Sequence, residues 1–79
     1  MKIPRNLDGK NLADHLIRNW QYRHVKQTGS HIKLRTDTPS GQTATIPAHK
    51  PLNPFTLAGI LKEVAAHKNV SVEDILRDL

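Results

Sequence analysis

Apolar residues recur along this chain in two different periods, and the change from one to the other outlines its elements. After Asp8, Leu12 and Leu16 repeat at helical spacing, with Ala13 and Ile17 beside them. Asp8 is a residue type that caps helix starts, so the pattern predicts a first helix over Gly9–Asn19. Residues 20–27 mix aromatic, polar and β-branched side chains without a helix stop signal, and predict a strand. Thr28-Gly29 predicts a tight two-residue turn, because glycine accepts a positive φ cheaply. Residues 30–35 then alternate, His31, Lys33 and Arg35 against Ile32 and Leu34, which predicts a half-buried strand. The loop Asp37-Thr38-Pro39-Ser40-Gly41 leads to a third strand over residues 42–46, ended by Pro47, and residues 48–52 are irregular. Asn53-Pro54 opens a second helix with Leu57, Ile60, Leu61 and Val64 on one face, closing near His67-Lys68-Asn69. Ser71 caps a last short turn, with Asp74 where a full capping box carries glutamate or glutamine.

The predicted order is α-β-β-β-α with a short helical tail, an α+β fold in one domain spanning residues 1–79. A three-stranded antiparallel meander has two faces. One can bury both amphipathic helices, and the other then meets solvent. Period-two alternation sends Ile32 and Leu34 toward the helices and His31, Lys33 and Arg35 outward. With a two-residue turn at Thr28-Gly29, Lys26 lies opposite His31, His24 opposite Lys33 and Tyr22 opposite Arg35. The expected open face is therefore Tyr22, His24, Lys26, His31, Lys33 and Arg35. Val25 joins Ile32 in the core, and Arg23 and Gln27 lie near its edges. A turn with an odd number of residues would reverse this parity for the first strand alone.

Charge adds a direction to this picture. Of 79 residues, 12 are Lys or Arg and 7 are Asp or Glu, a formal charge of +5, which suits a polyanionic partner, nucleic acid first. The plainer reading is a solvated polar face of the kind two-layer domains often carry. There is no cysteine, so neither disulfides nor thiolate metal sites are expected. The start Met1-Lys2-Ile3-Pro4-Arg5 lacks the apolar run of a signal peptide, and no stretch reaches the roughly 18 apolar residues of a membrane span. The expectation is a soluble, cytoplasmic chain with no membrane partner. None of the five histidines pairs at the i, i+4 spacing of helical metal sites, so no metal is expected. His15 and His67 are expected to face solvent.

The run Val25-Lys26-Gln27-Thr28-Gly29-Ser30-His31-Ile32-Lys33-Leu34 resembles the HicA (YcfA-like) toxins of bacterial toxin–antitoxin pairs. So do Thr45-Ile46-Pro47-Ala48-His49, the segment from Phe55-Thr56-Leu57 to Ile60-Leu61-Lys62, and the ending Val72-Glu73-Asp74-Ile75-Leu76. A lone Gly-Ser-His is a weak signal. The first three blocks together, in order and in a chain of this length, are a strong one. The resemblance implies a fold similar to the double-stranded-RNA-binding domain, and a small, metal-independent messenger-RNA interferase without a cofactor. It implies that the histidine of the Gly-Ser-His run, His31, is catalytic. It also implies a HicB-type antitoxin that masks the toxin in a hetero-oligomer. Two departures stand out: the family often has glycine where this chain has Gln21, and again where it has Phe55. Both bear on local turn geometry and neither on His31.

Histidine titrates near neutral pH and can take or give a proton in each turnover. RNA supplies its own nucleophile, the 2′-hydroxyl. A base at His31 would let that oxygen attack the adjacent phosphorus, leaving a 2′,3′-cyclic phosphate and a free 5′-hydroxyl. Lys26, Lys33 or Arg35 could stabilise the charge that grows on the phosphoryl oxygens. Lys26, Ser30, Lys33 and Arg35 are the candidate RNA-binding residues. For the leaving oxygen the proton donors are His49, His24 or water, and His49 ranks first because its block matches the family's Pro-x-His pattern. Two other readings stay open: a non-catalytic RNA-binding module using the same basic face, and an interaction domain whose basic face meets an acidic protein.

Overall fold

The computed structural model describes residues 3–77 and 79. Its elements are α1 (Gly9–Asn19), β1 (Arg23–Thr28), β2 (His31–Thr36), β3 (Gln42–Pro47), α2 (Pro54–Lys68) and α3 (Val72–Leu76). The strands form one antiparallel sheet in the order β1-β2-β3. Both long helices pack on one face of it: α1 meets β2 and β3, and α2 meets β3 and α3. This is the α-β-β-β-α arrangement the hydrophobic pattern predicts.

The core follows from the two periods. Ile32, Leu34, Ala44 and Ile46 alternate onto the covered face of the sheet, and Leu12, Leu16, Leu57, Leu61 and Val64 form the helical stripes above them. Asp8 occupies the N-cap position of α1, yet its side chain makes no capping bond. Instead the Gly9 N–H donates to the His49 carbonyl at 3.0 Å, satisfying one of the donors a helix start leaves unpaired. A Cβ at Gly9 would fall 1.7 Å from the Pro47 oxygen, so only glycine lets α1 sit this close to the end of β3. At α2, Asn53 accepts from the Phe55 and Thr56 N–H groups. The short α3 closes a complete capping box with aspartate in the glutamate position: Ser71 N–H donates to Asp74 Oδ2 and Asp74 N–H to Ser71 Oγ, each at 3.1 Å.

The first strand differs most from expectation. It starts at Arg23 rather than residue 20, because Trp20 N–H and Tyr22 N–H both still donate to the Leu16 carbonyl and Gln21 takes a left-handed φ of 58°. The glycine expected at this position in relatives would enter that region without a Cβ penalty. The turn is Gly29-Ser30, with Gly29 at φ 58°, so Thr28 pairs with His31, Gln27 with Ile32 and Lys26 with Lys33. Between His24 and Lys26 the register shifts, and Val25 is the surplus residue of a β-bulge. Past it His24 pairs with Leu34 and Arg23 with Arg35.

The shifted turn sets Lys26 opposite Lys33 rather than His31, and the bulge overturns three further expectations. His24 lies opposite Leu34 rather than Lys33. Tyr22 is not on the open face: it is 3 % exposed, its hydroxyl donates to Gln42 Oε1, and the Lys68 ammonium lies 5.0 Å from its ring centroid. Val25 is not in the core but 47 % exposed. Two histidines also differ. His15 is buried in α1, with Nε2 2.7 Å from the Ile75 carbonyl and Nδ1 3.0 Å from Asn19 Nδ2. His67 is half-buried, with Nε2 2.8 Å from the Ser40 carbonyl. Phe55 is 90 % exposed at the start of α2, where it leaves the cap geometry undisturbed.

Candidate nucleic-acid interface

The open face of the sheet is built in rows, because residues opposite each other in an antiparallel ladder share a face. The first row is Thr28, His31 and Pro47, with His31 at the start of the central strand. The second is Lys26, Lys33 and Thr45, and the third is Arg23, Arg35 and Thr43. Successive rows are about 6.6 Å apart, two residues along a strand. His31, Lys26, Thr28 and Thr45 are exposed and Lys33 is half-buried. Among the described residues, no hydrogen bond holds the His31 ring, which leaves its nitrogens open to solvent.

The structure therefore brings His31, Lys26 and Lys33 together. Arg35 shares their face but lies four residues from His31, about 13 Å along the strand. Its guanidinium is engaged there, with Nε donating to Asp37 Oδ1 at 3.3 Å and Nη1 to Thr43 Oγ1 at 3.4 Å. Ser30 is exposed in the turn, and its carbonyl accepts from Ala48 N–H at 2.6 Å, extending the β2–β3 ladder by one bond. That bond and the Gly9–His49 contact fix the backbone of residues 48 and 49 just beyond the His31–Pro47 pair. His49 is exposed at that end of the face. His24 goes to the opposite face with Leu34, so the register separates it from His31.

Arg23 and Asp37 were missed by sequence reasoning. Asp37, the first residue after β2, takes Arg23 Nη1 on Oδ2 at 2.5 Å and Arg35 on Oδ1. The hydrogen bond from Arg23, with help from Arg35, holds its carboxyl below the ordinary range. The alternation of Thr43 and Thr45 around Ala44 could have placed β3 on this face. Nothing local to Val25 marks the bulge that moves Arg23 there. Among the described residues, no three His, Asp or Glu side chains converge as metal ligands, and no helix is long and apolar enough to cross a membrane.

The chain is thus a small basic α+β domain that presents an open histidine beside paired lysines on a bare sheet face. A family model, the HicA toxin of bacterial toxin–antitoxin systems, matches residues 14–65, from α1 through most of α2 and including His31 and His49. The chain belongs to the HicA toxin family. The match stops short of α3. Comparison with curated proteins and with solved structures returned no match.

Proposed function

We propose that this chain is the ribonuclease toxin of a toxin–antitoxin pair, cleaving messenger RNA without a metal. The observation that carries the reading is the exposed His31 on the central strand, one row from the Lys26–Lys33 pair, in a member of the HicA family. His31, neutral, takes the proton of a ribose 2′-hydroxyl. The oxygen bonds to the adjacent phosphorus and the bond from phosphorus to the 5′-oxygen breaks, with His49 or water returning a proton to that oxygen. Products are a 2′,3′-cyclic phosphate and a 5′-hydroxyl. Lys26 and Lys33 offset the negative charge growing on the phosphoryl oxygens, and Ser30 and Arg35 contribute to holding the strand. A HicB-type antitoxin would inhibit by covering this face.

The test incubates single-stranded RNA with the wild type and with His31→Ala in the presence of EDTA. The reading expects cleavage by the wild type, products ending in cyclic phosphate, and intact RNA with the variant at unchanged fold and RNA affinity. RNA that is bound but stays whole with the wild type would leave the non-catalytic RNA-binding module in its place. Full activity of His31→Ala would remove His31 from the mechanism.

A further inference from the structure

Arg23 and Arg35 stand directly opposite each other on the open face, an arrangement of like charges that is unfavourable on its own. Asp37 bridges them with one oxygen to each, offsetting one of the two positive charges. The bridge is held from three sides. Thr43 accepts from Arg35 Nη1, and Arg35 Nη2 lies 2.4 Å from where a Cβ on Gly41 would be, so glycine there makes room for the guanidinium. From the helix side Lys68 Nζ donates to Thr36 Oγ1 at 2.8 Å, to the Thr38 carbonyl at 2.7 Å and to Thr38 Oγ1 at 3.1 Å. Those bonds use all three ammonium donors to pin the residues on either side of Asp37.

Exposed ion pairs add little stability, because solvent screens them and two long side chains must be ordered to form them. The side chains of Arg23, Arg35 and Asp37 are 58 %, 42 % and 59 % exposed. What this restraint achieves is geometry: two guanidiniums with their Nη2 groups unengaged among the described residues, fixed on one row of the sheet. A planar guanidinium fork suits phosphate oxygens, and fixing it beforehand lowers the ordering cost of binding. The row lies about 6.6 Å beyond the Lys26–Lys33 row, a step close to the phosphate repeat of an extended single strand.

We infer that Arg23 and Arg35, held by Asp37, form a second phosphate subsite that takes the phosphate next to the scissile one. The RNA strand then runs along β2 from His31 toward Thr36. Asp37 is a positioning residue, and Arg23 becomes part of the binding surface. The inference rests on the RNA reading of this face, and its test keeps the two apart.

The first arm measures cleavage of a dinucleoside monophosphate and of the same dinucleotide with one extra phosphate on its 5′ or its 3′ end. A phosphate on one of the two ends is expected to raise kcat/KM roughly tenfold, as a charge-assisted contact does. In Arg23→Gln/Arg35→Gln the charged and uncharged substrates should converge. No gain at either end, or a gain that survives in the double variant, overturns the subsite while leaving the ribonuclease reading intact. The second arm, which needs no catalysis, titrates a fluorescent uridine hexamer against His31→Ala with and without the arginine substitutions over a salt series. Loss of one phosphate contact should make the slope of log K against log salt shallower by about 0.7. An unchanged slope overturns the subsite, and absence of salt-dependent binding by the His31→Ala protein overturns both readings. Both arginines are surface residues, and circular dichroism of the double variant checks that the fold is retained.

Discussion

His15 Nε2 lies 2.7 Å from the carbonyl oxygen of Ile75, and this one bond ties the middle of α1 to α3. A carbonyl only accepts, so Nε2 carries the proton and Nδ1 accepts from Asn19 Nδ2 at 3.0 Å. The ring is 6 % exposed and has a partner at both nitrogens. Replacing it with leucine fills the space but leaves the Ile75 carbonyl without its buried partner. The expected cost is about 1–3 kcal/mol, read as a lower urea midpoint by Trp20 fluorescence. Stability within about 0.5 kcal/mol of wild type would show the bond contributes nothing net.

Gln21 holds a left-handed φ of 58° between α1 and β1. A residue with a Cβ pays roughly 1–2 kcal/mol for that region, part of which glycine returns through its freer unfolded state. Gln21→Gly is expected to stabilise the chain by about 1 kcal/mol and raise Tm by roughly 4–8 °C. A fall in Tm would mean that the Gln21 side chain contributes more than its backbone costs.

Tyr22 is the only tyrosine in the chain, so its ionisation can be followed by ultraviolet absorbance without interference. Burial pushes its phenol up to about 12 from an ordinary 10.0. A raised value means the neutral phenol's contribution is whole below pH 10 and is lost as pH rises from there through about 12. The absorbance midpoint should lie near 12 and coincide with the alkaline loss of far-ultraviolet circular dichroism. A midpoint at the ordinary value in folded protein would place Tyr22 in solvent.

Asp37 works in the opposite direction. Its carboxyl is held low, first by the hydrogen bond from Arg23, so its contribution is present above the ordinary carboxylate value and disappears as pH falls through the lowered one. Asp37→Asn should flatten the acid side of a Tm-against-pH curve relative to wild type. Asp74, held low by its bonds to Ser71, remains to cause part of the acid loss in both proteins. Parallel curves for wild type and variant would assign the acid loss elsewhere.

On the proposed mechanism, Lys26→Ala and Lys33→Ala each lower kcat/KM for RNA by about 10–100-fold, more through kcat than KM. His49→Gln should lower kcat by roughly 100-fold if His49 supplies the proton to the leaving oxygen. An unchanged kcat would assign that role to water.

Much of this architecture can be read from neighbours along the chain. The bounds of α1, the alternation of β2, the Asn53 cap and the Ser71–Asp74 box all depend on residues within a few positions of each other. They are visible for that reason, and so are His31 and Lys33 on one face. What escaped depends on contacts far apart in sequence. The burial of His15 needs a carbonyl 60 residues away, and that of Tyr22 needs Gln42, 20 residues away. The bulge at Val25 carries no glycine or proline to mark it. Hence Arg23 was set at the core edge when it stands on the open face beside Asp37.

Val25 also makes β1 tolerant of shortening. The residues before it, Arg23 and His24, are already aligned with Arg35 and Leu34 as they would be if Val25 were absent. Excising that one residue would straighten the edge strand without trading its inward and outward side chains. Tyr22 would keep its buried place and Arg23 its neighbour Arg35. Removing Lys26 or His24 instead would also straighten the strand, but with Val25 in the lost residue's place opposite Lys33 or Leu34. Single-residue length variation among close relatives should accordingly be tolerated within residues 24–26 and excluded from the regular pairs that follow, Gln27–Ile32 and Thr28–His31.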